Sequence, residues 1–254
     1  MAAGVGKAQR RAMRSIDSSV VSNIRCAARS RCSRSHCAGV APVSATKWRA
    51  KVYAAARATA SVASANGVEA IRLDVTDQAS VEAAARLATD VQIVINNAGI
   101  AVGQPLVGGN LDRIHDEFGV NVFGHVRVSA AFAPALKANG GGVIVNALSA
   151  ISWFSFPGMA GYSAAKAAAW SITDALRLEL AGQGTHVLAL HMAAVATEMG
   201  DQFPIDKIPP GDVVTAALDG IENEVAEVVV DDLARTVKGT LTSDPSRYAA
   251  LLGA

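Results

Sequence analysis

The chain has 254 residues, 51% of them hydrophobic and 18% charged, with a formal net charge of +1. That balance supports a buried core and excludes wholesale disorder; the 22 glycines and eight prolines follow no period, which excludes a collagen-like chain, and no apolar run is long enough to span a bilayer as a helix. The near-neutral total conceals an asymmetry, because residues 1–50 carry ten Lys or Arg and one acid, against 13 basic and 21 acidic residues in the remainder.

Residues 1–50 are rich in Arg, Ser and Ala and hold all three cysteines, Cys26, Cys32 and Cys37. Only 19–24 and 40–43 could pass for strand fragments. The composition fits a transit peptide, or a basic arm for nucleic acid that lacks the interleaved aromatics such arms use. A metal site from Cys26, Cys32, His36 and Cys37 lacks the paired C-x2-4-C of structural zinc modules. Three scattered thiols of an intracellular, cytoplasmic protein is the plainer reading, and we expect neither a metal nor a nucleic-acid or membrane partner.

From residue 51 the punctuation becomes regular. Strands are expected at 51–56, 68–73, 91–96, 143–148, 186–190 and 226–230, the third and fourth as nearly continuous apolar runs of the kind buried on both faces. Helical patterns lie at 78–89 behind the cap Asp77, at 111–138 between Asn110 and the glycines 140–142, at 162–181 before Gly182, and at 212–222. Strands alternating with helices of this length imply right-handed crossovers and a doubly wound parallel α/β sheet over residues 51–254.

Three features then bear on chemistry. Tyr162 and Lys166 are four apart at the start of a helix and share one face. An ammonium beside a phenol favours the phenolate, and bringing a pKa near 10 down toward 7 takes about 4 kcal/mol of differential stabilisation. A tyrosine so tuned is a general acid or base, although the spacing alone also occurs in surface pairs. Ser149 follows the strand 143–148, where ligands of open α/β sheets bind, and a hydroxyl there can reach a substrate oxygen, or simply begin a loop. Asn96, Asn97, Ala98 and Gly99 follow the strand 91–96, either as an ordinary turn or as a place where backbone approaches a ligand closely.

Together the NNAG run at 96–99, Asn121 of GVNVFGH, Ser149 of NALSA, and Tyr162 and Lys166 of YSAAK resemble the short-chain dehydrogenase/reductase family, over residues 51 to about 238. The resemblance implies a Rossmann-like fold, a nicotinamide cofactor, and hydride transfer between a carbonyl and an alcohol. It implies that Tyr162 is the general acid of reduction, that Lys166 lowers its pKa and holds the nicotinamide ribose, that Ser149 orients the substrate oxygen, and that Asn121 supports a water relay to Lys166. It places Asp74 and Val75 beside the adenine, Asn97, Ala98 and Gly99 along the cofactor, and Thr197 near the carboxamide, with the family's Pro-Gly replaced by Met192-Ala193. Arg57, rather than an acid, ends the strand 51–56, which favours NADP over NAD. Trp153, Phe154, Phe156, Met159, Met199 and Phe203 are candidate apolar pocket walls, or core, and suit a small, largely apolar carbonyl or alcohol. The helices 111–138 and 162–181, with Ala130, Ala131, Ala164, Ala165, Ala167, Ala168 and Ala169, are those by which family members pair, so a homodimer or homotetramer is expected.

The resemblance stops at the first strand and its T-G-x3-G-x-G turn, which hold the pyrophosphate; Gly4-Val5-Gly6-Lys7 follows no strand. The missing strand belongs between 51–56 and 91–96. Residues 1–50 therefore read as an out-of-frame or misassigned start, as a transit peptide on a truncated domain, or as a divergent N-terminus. The rival functional reading is a non-catalytic relative impaired in cofactor binding.

Overall fold

A computed structural model describes residues 51–62, 68–155 and 157–242. The readings made of residues 1–50, of their cysteines and of Phe156 lie outside the described residues.

Strands β1 (Val52–Ala56) and β2 (Val68–Arg72) pair in parallel. Helix α1 (Gln78–Leu87) follows, with Asp77 Oδ1 accepting from the Ala79 amide at 3.0 Å as its N-cap. Strands β3 (Ile93–Asn96), β4 (Gly142–Ala147), β5 (Thr185–His191) and β8 (Glu227–Val229) form a second parallel sheet in that order. Between them run α2 (Leu111–Asn121), α3 (Phe123–Ala138), α4 (Ala160–Ala181) and α5 (Pro210–Glu222), and α6 (Asp232–Gly239) closes the described chain. The short pair β6 (Ala194–Val195) and β7 (Lys207–Ile208) sits in the loop after β5.

The period-2 alternation of buried strands makes both sheet faces apolar. Ile144 and Val187 face one side, where Val81 and Ala84 of α1, Val128, Phe132 and Leu136 of α3, and Leu176 of α4 cover them. Their neighbours Val145 and Leu188 face the other, against Val213, Ala217 and Ile221 of α5. The fold is thus the doubly wound α/β sheet the sequence leads one to expect. Among the described residues β1 and β3 do not pair, the division expected there, yet Ile71 of β2 and Val94 of β3 share one core cluster. Tyr53 of β1 also donates to Asp90 Oδ1, just before β3, at 2.6 Å.

Two expectations need correction. The helix 111–138 is two helices meeting at Val122 (φ −112°, ψ −68°); hydrogen bonds from Val122 N to Phe118 O and from Val126 N to Val122 O continue through it, so it is a bend and not a stop. Helix α6 was not expected: it is amphipathic but only eight residues long, and Asp231 starts it by accepting from the Ala234 amide at 2.8 Å. At the end of α3, Gly141 (φ +100°) is required, because a Cβ there would lie 2.2 Å from Gly184 O.

Candidate active site

Parallel strands deliver their carboxyl ends to one edge, and the expected site residues follow those ends: Arg57 after β1, Asp74 and Val75 after β2, Asn97 to Gly99 after β3, Ser149 after β4 and Thr197 after β5. A cavity of about 210 Å³ opens beyond β3, β4 and β5. Asn97, Gly99, Ser149, Tyr162, Lys166 and Thr197 line it together. Arg57, Asp74, Val75 and Ala98 are not among its lining residues. Asp74 accepts from Thr76 N at 2.9 Å and from Thr76 Oγ1 at 2.6 Å; burial opposes its ionisation, but these bonds and Arg57 prevail and hold its carboxyl below the ordinary range. Val75 packs against Gly124, where a Cβ would meet Val75 Cγ2 at 3.0 Å, and so joins the end of β2 to the α2–α3 bend.

Ser149 is tightly held. Its Oγ accepts from Ile151 N at 3.3 Å, its amide donates to Ser152 Oγ at 3.4 Å, and its carbonyl accepts from Ser152 N at 3.0 Å. The hydroxyl thereby keeps its proton for another acceptor. Lys166, 5% exposed, donates from Nζ to Ala147 O at 2.8 Å, and burial brings its pKa down to about 8.

The expectation that Lys166 lowers the Tyr162 pKa is not met. Burial, reinforced by the charge of Glu117, pushes the phenol above its ordinary range, and the bond from Ser149 only partly offsets this. The ammonium is turned to Ala147 O and stands 5.8 Å from the ring centroid, while desolvation acts on the phenolate directly.

Asn121 is fully buried and both ends of its amide are engaged: Oδ1 accepts from Ile100 N at 3.0 Å and Nδ2 donates to Ile100 O at 2.8 Å. Its side chain therefore fastens the loop after the NNAG run. Gly99 is the cradle of the site, since a Cβ would come 3.0 Å from Asn121 Oδ1 and 3.8 Å from Lys166 Nζ. Thr197 Oγ1 accepts from Gly200 N at 3.2 Å and shapes the loop in which Met192-Ala193 stands.

Of the expected pocket walls, Phe154, Met199 and Phe203 line the cavity. Trp153 and Met159 do not: Trp153 packs on Trp170 and His191, and Met159 packs in a small cluster with Ile151 and Tyr162. Leu148, Ile151, Met192, Val195, Ile205, Val213 and Leu233 add to the apolar wall.

Sequence reasoning missed three buried polar residues. Glu117 Oε1 accepts from Val102 N at 2.7 Å; its spacing of four from Asn121 on one helix face was a usable signal. His125, held down to about 3 by burial and the charge of Lys166, faces the Ala98 backbone. His191 ends β5 beneath Ser149.

The sequence profile of the short chain dehydrogenase family matches residues 31–207, and the chain belongs to that family. It is 34% identical to 1-deoxy-11-beta-hydroxypentalenate dehydrogenase of Streptomyces exfoliatus over 159 residues, 60% of this chain and 58% of that one. It is 32% identical to the NADPH-dependent 1-acyldihydroxyacetone phosphate reductase of Schizosaccharomyces pombe over 157 residues, 60% and 51% of the two chains. The chain thus spans somewhat over half the length of these relatives. Among solved structures, a short chain dehydrogenase from Burkholderia cenocepacia in complex with NADP is similar at a TM-score of 0.77 and 33% identity, covering 82% of this chain and 88% of that one.

Proposed function

We propose that this oxidoreductase transfers a hydride between NADP(H) and a small, largely apolar carbonyl or alcohol, with residues 51–254 as its catalytic domain. The observation that carries this reading is the convergence of Ser149, Tyr162 and Lys166 with Gly99 at one apolar-walled cavity. The cradle at Gly99, between Asn121 and Lys166, fits the nicotinamide-ribose end of the cofactor. The relative from S. pombe and the neighbour from B. cenocepacia, one NADPH-dependent and one bound to NADP, support the same choice, as does Arg57 after β1. Lys166 would hold the ribose, Asn97, Ala98 and Gly99 the nicotinamide side, Thr197 the carboxamide, and Asp74 and Val75 the adenine.

The bound cofactor supplies the hydride. Tyr162 supplies the proton in reduction; the phenol is protonated at neutral pH, and the bond from Ser149 partly offsets the burial that opposes its ionisation. Ser149 directs its hydroxyl proton to the substrate oxygen while Ile151 N fixes its Oγ. Lys166, charged below about pH 8 and held by Ala147 O, is the cation that would meet the cofactor's ribose hydroxyls. Asn121 keeps the floor of the site in place and stands beside Lys166 for a water relay. The apolar walls exclude water and suit aliphatic or aromatic carbonyls. A cytoplasmic homodimer or homotetramer completes the proposal.

NADPH fluorescence titration followed by turnover on a panel of apolar aldehydes and ketones tests it. Tyr162→Phe is expected to lower kcat by about 10²–10⁴-fold with nearly unchanged NADPH affinity. Turnover retained by that variant would refute the catalytic assignment, and a wild-type chain that binds no NADPH would favour the non-catalytic alternative.

A further inference from the structure

We propose that His191 is a positioning residue for Ser149, holding the serine's main chain from beneath; the inference rests on the reading of Ser149 as the residue that orients the substrate oxygen. His191 is fully buried at the end of β5, and its Nδ1 lies 3.2 Å from Ser149 O. The carbonyl can only accept, so the Nδ1 proton is donated to it. The ring carries a single proton, because burial brings its pKa down to about 4.

The imidazole is itself held by two indoles. It stacks on Trp153 with centroids 4.1 Å apart and planes 19° from parallel, and Trp170 meets it edge-on at 6.3 Å. Its Nε2 lies 3.3 Å from Glu227 Oε1 without a hydrogen bond to it, and Lys238 of α6 pairs with the other oxygen of that carboxylate. Lys238 also stands 5.7 Å over the Trp153 ring. Ser149 O is therefore shared between Ser152 N, which closes the turn after β4, and a ring that cannot swing away. The main chain of His191 also accepts from Val230 N at 2.9 Å, which anchors the residue beneath the serine to the end of β8.

The test pairs His191→Phe, which keeps the stacked ring and removes the donor, with His191→Asn, whose Nδ2 restores it. Hydrogen exchange of the Ile151, Ser152 and Trp153 amides reads the turn without requiring turnover. Loss of one hydrogen bond of ordinary strength is expected to speed their exchange about tenfold in His191→Phe and to lower kcat by about the same factor. NADPH affinity should hold, and His191→Asn should recover most of both losses. Exchange at these amides unchanged from wild type, or accelerated equally throughout β4 and β5, would overturn the proposal and leave His191 a packing residue. If His191→Phe does not fold, His191→Leu against His191→Asn makes the same comparison. Absence of turnover in the wild-type chain would count against the proposed function alone, and the exchange result would still decide the role of His191.

Discussion

Lys166→Met is expected to stabilise the cofactor-free protein at neutral pH while abolishing its activity. Lys166 is 5% exposed, and burial brings its pKa from 10.5 to about 8. That gap, at about 1.4 kcal/mol per pH unit, means the folded state holds the ammonium at a cost of about 3 kcal/mol. The sign follows from where each state binds the proton. Below pH 8 both states are charged and the folded one carries the full penalty. Between about 8 and 10.5 the unfolded chain keeps a proton that the folded chain has shed, so wild-type stability rises with pH. Against this, methionine loses the bond to Ala147 O at 2.8 Å and leaves a carbonyl unpaired, about 1–3 kcal/mol. The variant should be more stable by on the order of 1 kcal/mol at pH 7, and less stable by about 2 kcal/mol once the lysine is neutral in both states. Urea unfolding of both proteins from pH 7 to 10.5 measures the difference, in which titrations common to both cancel. A difference that does not move with pH would refute the reasoning.

His191, with a pKa down to about 4, stays neutral in the fold while the unfolded chain takes a proton near pH 6.5. Stability should therefore fall as pH drops from 6.5 toward 4, and in denaturant titrations His191→Phe should remove a share of up to about 3 kcal/mol of that fall. Asp231 caps α6 through Ala234 N and holds Ala193 N, each at 2.8 Å; Asp231→Ala should cost about 2 kcal/mol, lower Tm by about 4–8 °C, and weaken NADPH binding in a fluorescence titration. Phe123 (51% exposed), Ala130 and Ala164 leave α3 and α4 with small or apolar groups facing outward, so light scattering at micromolar concentration should show a dimer or tetramer, and a monomer would count against the pairing of these helices.

Where the residues of an element face one environment throughout, their pattern was readable in advance. The runs around Ile144 and Val187 are apolar on both faces because helices cover both, and the caps Asp77 and Asn110 mark α1 and α2. Part of the cavity's lining was legible: Ser149 at a strand end, and Tyr162 and Lys166 by their spacing, were expected at one place and line it together. The site was not legible where the demand comes from a distant partner. His191 is one more residue in a buried run until β4 brings the Ser149 carbonyl to it, and Asp231 matters because Ala193, 38 residues earlier, needs an acceptor. The Tyr162 pKa was misread for a related reason: helical spacing shows that Lys166 is near, but only the fold shows that its ammonium is turned to Ala147 and that burial governs the phenol.

The same burial explains why polar groups crowd this one region. Glu117, Asn121, His125, Lys166 and His191 are all buried around the ends of β3, β4 and β5. For Glu117, His125, Lys166 and His191 burial opposes the charged form, so none of them is there for stability alone. Their bonds instead converge on main chain: Glu117 on Val102, Asn121 on Ile100, Lys166 on Ala147, His191 on Ser149. Each of those backbone segments forms or adjoins the cavity. Folding energy is thus given up to fix the loops at the strand ends, and this makes replacements that improve stability and remove function an expected class of variant at this site.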